Sequence, residues 1–312
     1  MSIVSLSGAI EIGLIYALVS LGIFLAFQVL NFQDLTADGS FSLGAAVAAT
    51  MIVMGHNPWT ATFVAILAGA GAGLVTALLS IRLKIVNLIA SMLTLTALFS
   101  INLRIMGAPN VALLGKATIF LPLSGALGLP PWISNPIAIL TGVMVLAALF
   151  AWFMKSEFGL AMRATGANPR MARSQGISTN RHICVGLAIA NGFIALGGSL
   201  FAQSNSFADI TVGMGSIVAG LAAVILGEAL VRSGNIVWVI VGTVVGSVLY
   251  RFAVSIALES EWIGLSAGDL NLVTAVLVAF AMMARIPRFG LLSMKLIQRF
   301  AQKSVATYRS GA

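Results

Sequence analysis

Two carboxylates, Asp34 and Asp38, stand in the stretch NFQDLTADGSFSLGAAVAA, between two apolar runs of a chain that otherwise avoids charge. A third, Asp209, stands in the similar stretch SFADITVGMGSIVAGLAAV. Setting Asp34 on Asp209, at a constant offset of 175 residues, also matches Phe32 with Phe207, Leu35 with Ile210 and Thr36 with Thr211. Each copy reads F-x-D-[LI]-T before a small-residue helix, and each closes a long apolar run and opens a shorter one. Carboxylates and hydroxyls at such a place suit two kinds of chemistry. They cap N–H groups freed where a membrane helix breaks, or they contact a solute or coupling ion in a membrane path. Asn31, Asp34, Thr36, Asp38 and Ser40, with Asp209 and Thr211, are therefore the candidate helix-break and translocation-path residues. The first copy is expected to cap a short helix from Phe41, and Asp209 and Thr211 one from Gly215.

A different cluster fills EFGLAMRATGANPRMARSQGIST, Glu157 to Thr179. Asn168 is a good N-cap, Pro169 a favoured first helical residue and Gly176 a favoured C′ residue, so the spacing predicts a short helix over Pro169–Gln175. Arg170, Arg173 and Arg181 would stud it and its exit. A short capped helix between two membrane helices is a docking element. Topology rules alone explain the arginines of a basic loop but not the capped frame.

The elements that must hold these residues are membrane helices. The chain is 59% hydrophobic and 8% charged, against roughly 25% charged in soluble domains, and its mean hydropathy is +1.05. Its apolar runs are continuous rather than alternating, which excludes a β-barrel and gives an all-α polytopic fold. Spans fall near Gly8–Leu30, Phe41–Met54, Trp59–Ile81, Ile85–Leu103, Ser134–Met154, Ile183–Ala202, Gly215–Leu230, Ile236–Ser255 and Asn271–Ala284. That makes about 8–10 spanning or half-spanning helices. The proline-bearing stretch 104–133 reads as an external loop.

Basic residues collect at Arg82 and Lys84, across Lys155–Arg181, at Arg232 and from Arg285 to Arg309, which places these segments in the cytoplasm; the loop 255–270, with Glu259, Glu261 and Asp269, falls outside. The first F-x-D copy is then nearer the cytoplasm and the second nearer the exterior. Two halves of inverted topology are expected, residues 8–154 and 183–284, within one permease-like domain over 1–284. The cytoplasmic loop is 155–181, and 285–312 is a basic cytoplasmic tail.

Other chemistry is poorly supported. Cys184 lies alone in an apolar run and offers no disulfide or metal site. His56 and His182 lie outside or at the edge of spans, and no phosphate loop, HExxH motif or Ser/His/Asp cluster occurs. No enzyme and no metal is expected. The net charge of +8 has no accompanying patch of exposed aromatics that would suit nucleic acid.

Gly159, Arg163, Ala164, Asn168, Ala172, Gly176 and Ile177 meet the pattern G-x-x-x-R-A-x-x-x-N-x-x-x-A-x-x-x-G-I. This resembles the coupling loop of permeases in the branched-chain amino acid and ribose ABC importer family, and the resemblance spans essentially the whole chain. The first F-x-D copy takes the place of that family's NFAHG segment, with Leu35 or Thr36 where the family has His. Its DLT-x-DGS-F form is similar to a subgroup associated with tryptophan or uncharacterised solutes. The resemblance implies a permease of the bacterial cytoplasmic membrane that moves a small solute inward. It implies two copies of the permease, most simply a homodimer, cytoplasmic ATP-binding cassette subunits carrying ATP and Mg, and an external solute-binding protein. Membrane lipid would surround the chain, no cofactor would sit on it, and coupling to the ATPase would involve Gly159, Arg163, Ala164, Asn168, Pro169, Arg170, Ala172, Arg173, Gly176 and Ile177. An ion-coupled secondary transporter also fits the inverted repeats, whereas a membrane structural subunit fits only the composition.

Overall fold

A computed structural model describes residues 3–121, 130–231, 234–259 and 275, 276 and 279. Most of the span expected at Asn271–Ala284, together with Arg232, Glu261, Asp269 and the tail 285–312, lies outside the described residues.

Among the described residues ten α-helices follow one another. They are α1 (Ile3–Ile23), α2 (Thr36–Val53), α3 (Pro58–Arg82), α4 (Asn87–Met106), α5 (Pro131–Lys155), α6 (Glu157–Ala167), α7 (Pro169–Ser174), α8 (Thr179–Asn205), α9 (Ser216–Leu230) and α10 (Ile236–Glu259). Seven of them, all but α6, α7 and α9, are long and apolar enough to cross a membrane, α1 counted with its continuation to Val29. Capping residues set several starts: Asn57 accepts the Trp59 N–H at 2.9 Å ahead of α3, whose first residue is Pro58. Ser156 caps α6 through the Gly159 N–H at 3.3 Å.

The helices sort by burial. The apolar windows of α1 and α2 are 78% buried, against 33% for α3 and α5 and 28% for α4, so α1 and α2 are central and the other three turn apolar faces outward. In a bilayer such faces meet lipid. Helix α8 packs against α1, α2 and α3, and α9 and α10 pair beside α1. The largest core cluster gathers Leu14, Leu18, Leu21 and Leu25 of α1 with Phe150 and Met154 of α5 and Leu187 and Ala190 of α8.

Two features depart from the sequence expectation. The helix after the first F-x-D copy starts at Thr36, not Phe41, because its polar first turns are buried and hydrogen-bonded to neighbouring helices rather than left as a loop. Within the stretch read as an external loop, β1 (Asn110–Ala112) pairs antiparallel with β2 (Phe207–Asp209), Asn110 opposite Asp209. Three-residue strands carry too little alternation to be read from sequence.

Before the break, α1 widens into a π-helical segment at Phe24–Val29. The chain then turns at Asn31, whose φ of +52° is left-handed. Asparagine tolerates that region better than most residues.

Candidate functional site

The Asp–x–Thr pairs of the two F-x-D copies fold alike. The Thr36 N–H donates to Asp34 Oδ1 at 2.9 Å, and the Thr211 N–H donates to Asp209 Oδ1 at 2.7 Å. Beyond that shared turn the surroundings differ. Asp209 lies in β2, half-buried beside exposed Thr211, whereas Asp34 is 1% exposed.

Burial requires Asp34 to be satisfied on both oxygens. Its Oδ2 accepts Asn191 Nδ2 of α8 at 2.7 Å. Asn191 in turn accepts the Ser40 hydroxyl at 2.7 Å and donates to the Leu187 carbonyl at 3.1 Å. The Thr36 hydroxyl pairs with that of Thr76 in α3 at 2.7 Å. One fully buried network therefore ties α2 to α3 and α8 just past the break. Asn191 and Thr76 are absent from the sequence-derived set; the one available signal was a polar residue inside an otherwise apolar run.

Asp38 does something the repeat alignment does not foresee. Its Oδ1 accepts the Ile217 N–H at 2.9 Å and the Ser216 hydroxyl at 2.8 Å, and its Oδ2 accepts the Gly215 N–H at 3.2 Å. Asp38 thus caps the N-terminus of α9, the role expected of Asp209 and Thr211. The physical reason is position: Asp209 is held in the ribbon with β1, while the first turn of α2 lies against the first turn of α9. The Gly213 N–H donates to Ser42 at 3.1 Å and extends the junction. The positive ends of two helix dipoles therefore meet at Asp38, which lies in one and accepts from the other.

The helix expected over Pro169–Gln175 forms as α7, one residue shorter than expected. Asn168 Oδ1 accepts the N–H groups of Arg170 and Met171, both at 3.1 Å. At the other end the Ile177 N–H reaches the Ala172 carbonyl and the Gly176 N–H the Arg173 carbonyl, each at 3.0 Å, with Gly176 at φ +82°. This paired closure is a Schellman stop. Pro169, Arg170, Met171, Arg173 and Gly176 are exposed and Ala172 is buried. Arg173 Nε folds back on the Pro169 carbonyl at 3.1 Å. Ile177 is half-buried and Gly159 packs on the Phe153 carbonyl.

Arg163 does not brace the loop. Among the described residues it bonds neither Glu157 nor a loop carbonyl; it is half-buried and lines an open cavity of about 720 Å³ with Gln28, Asn31, Ala164, Glu228 and Gly234. That cavity lies where α6, the break, the end of α9 and the start of α10 converge. Gly166 of α6 packs directly on the Val29 carbonyl, a contact that any Cβ would fill.

His56 is an exposed turn residue, and His182 is buried against the Phe158 ring at 4.4 Å. Among the described residues no cluster of His, Cys, Asp and Glu could hold a metal ion.

Comparison with known proteins gives this geometry its context. Residues 5–286 match the family described as branched-chain amino acid transport system / permease component. The chain is 36% identical over 276 residues to a tyrosine transport system permease protein of Clostridioides difficile, covering 88% of this chain and 90% of that protein. It is 27% identical over 225 residues to a ribose import permease protein of Escherichia coli K12, covering 70% and 67%. In fold it is similar to a solved structure of PsaBC from Streptococcus pneumoniae in complex with Fab, with a TM-score of 0.53 at 14% identity over 93% of this chain. The family decides for an ATP-driven importer over an ion-coupled transporter. With its apolar helices and broken α1–α2 path, the chain belongs to this family of bacterial inner-membrane permeases and is a membrane subunit of an ABC importer.

Proposed function

We propose that this permease moves an amino acid inward, with α7 as the element that an ATP-binding cassette subunit grips. The carrying observation is mechanical. Helix α7 is capped at both ends, presents Arg170, Met171 and Arg173 to solvent, and joins α6, which seats Gly166 on the Val29 carbonyl at the break. Met171, 63% exposed among arginines, suits an apolar socket rimmed by acids. Motion of the ATPase pair would pass from α7 through α6 to the segment Leu30–Leu35, and from there to the Asp38 junction. ATP and Mg would be held by the cassette subunits and not by this chain.

In this reading the two F-x-D copies are the inverted breaks of halves 8–154 and 183–284. Loop 155–181 and tail 285–312 face the cytoplasm, and two copies of the permease, most simply identical, frame the solute path. An external binding protein would deliver the solute. An amino acid is favoured over a sugar by the 36% identity with the tyrosine permease, against 27% with the ribose permease.

Co-purification of this chain with a P-loop ATPase tests the partner, with uptake abolished by a catalytic substitution in that ATPase. Binding of amino acids and sugars to the cognate external protein tests the solute. A partner protein that binds ribose and no amino acid would overturn the solute class and leave the coupling role standing.

A further inference from the structure

The open cavity of about 720 Å³ beside the break has no role so far. Its walls carry opposite charge. Arg163 stands on α6 and Glu228 in the last turn of α9, and both are half-buried. A carboxylate in the last turn of a helix meets the negative end of the dipole, so it gains from a cation brought up to it from another element.

The two walls are held differently. Gly227, just before Glu228, lies backbone to backbone with Gly242 of α10, where a Cβ would overlap the Gly242 carbonyl, and Gly246 lies as closely on the Ala223 carbonyl. Helices α9 and α10 thus form one stiff block with Glu228 at its edge. Helix α6 instead runs between two extended residues, Ser156 with ψ 164° and Asn168 with φ −153°. Residues at element ends are where a rigid helix takes up a change of angle. The contact of Gly166 with the Val29 carbonyl fixes one point of α6, so a push arriving through α7 turns the helix about that point and carries Arg163, one turn earlier, across the cavity.

We infer that Arg163 and Glu228 are the two halves of a gate, which pair across the cavity when the ATPase subunits close and part when they open. A guanidinium takes a carboxylate with two parallel hydrogen bonds, and the attraction grows as the closing walls expel water. Gln28 and Asn31 line the same cavity, so pairing also covers the polar end of the break. This rests on the reading of α7 as the gripped element and gives it a second output, to α9 and α10, beside the one through Leu30–Leu35.

The test uses the full complex of permease, ATPase and binding protein in proteoliposomes. In a Cys184→Ser background, Arg163→Cys with Glu228→Cys is treated with a short bifunctional maleimide, with and without AMP-PNP and Mg. Nucleotide is expected to raise the cross-linked fraction about 3-fold or more, and an equal or lower fraction overturns the gate. Arg163→Glu and Glu228→Arg should each lower uptake of a mixed pool of radiolabelled L-amino acids and D-ribose about 10-fold or more, and the double exchange should recover it to within about 3-fold of wild type. A double exchange no better than the single ones overturns the gate. Where the exchange variants do not assemble, the cysteine pair decides by its own criterion, and failure of that pair as well makes both residues structural and overturns the gate. Cross-linking that ignores nucleotide while Gly176→Val abolishes stimulation overturns the gate and leaves the α7 reading intact. Cross-linking that follows nucleotide equally well with Gly176→Val added overturns the α7 reading and leaves the gate standing.

Discussion

Asp38 of α2 takes the Ile217 amide of α9 at 2.9 Å, so a residue in the first turn of one helix caps the first turn of another 179 positions along the chain. The same carboxylate holds Gly215 and Ser216. Among the described residues no other side chain caps the first turn of α9, so removal of the carboxylate leaves those groups uncapped. Asp38→Ala is expected to destabilise the detergent-purified permease by about 2 kcal/mol, and Asp38→Asn by about half as much, since Asn keeps one acceptor. Equal melting points for Asp38→Ala and wild type would show that the junction does not hold the fold.

Asp34 and Asn191 form a pair whose donors and acceptors are fixed by their neighbours. Asp34→Asn sets one amide N–H₂ against another and should cost about 1–3 kcal/mol, and Asn191→Asp sets two carboxylates together and should cost more. The double exchange, Asp34→Asn with Asn191→Asp, restores the complement and should recover about 1 kcal/mol or more relative to the sum of the two. Strict additivity in thermal unfolding would argue that the two side chains do not depend on each other.

Coupling should fail at Gly176 without loss of the membrane fold. Valine there would need a φ of +82°, a region closed to β-branched residues, so Gly176→Val should unseat the end of α7. The expected result is normal yield in the membrane with ATP hydrolysis no longer stimulated by loaded binding protein. Arg163→Ala, at the cavity wall, should retain the ATPase but lower uptake. Full stimulation and uptake in both variants would reduce this loop to a determinant of topology.

Sidedness is best probed at Asn31 and Thr211, which are exposed, rather than at Ser40, which is fully buried. Cysteine at Asn31 should react with an impermeant maleimide only from the cytoplasmic side, and cysteine at Thr211 only from the exterior. Reaction of both from one side would refute the inverted arrangement of the two copies.

The short helix α7 was legible because caps are local: Asn168, Pro169 and Gly176 act within one turn of their own positions. Most long helices were legible from apolar length alone. The start of α2 was not, because Thr36, Asp38 and Ser40 look like a loop until α8, α3 and α9 supply their partners. For the same reason the capping of α9 was assigned to Asp209, its neighbour in sequence, instead of Asp38. Asn191 sits in an apolar run, where periodicity gives a polar residue no special weight, and only the packing of α8 shows what it faces.

The π-helical segment at Phe24–Val29 makes the break in α1 more than a gap. A π turn carries a surplus residue relative to an α turn, so its hydrogen bonds have two discrete ways to close, i to i−5 or i to i−4. Moving the surplus out of α1 would rotate everything after it by about 100° and advance it about 1.5 Å. Asn31 at the cavity and Asp34 at the Asn191 contact would be carried round together. In the proposed coupling, this end of α1 would serve as a ratchet with a one-residue tooth, passing on a push from α6 as a step rather than as a graded bend.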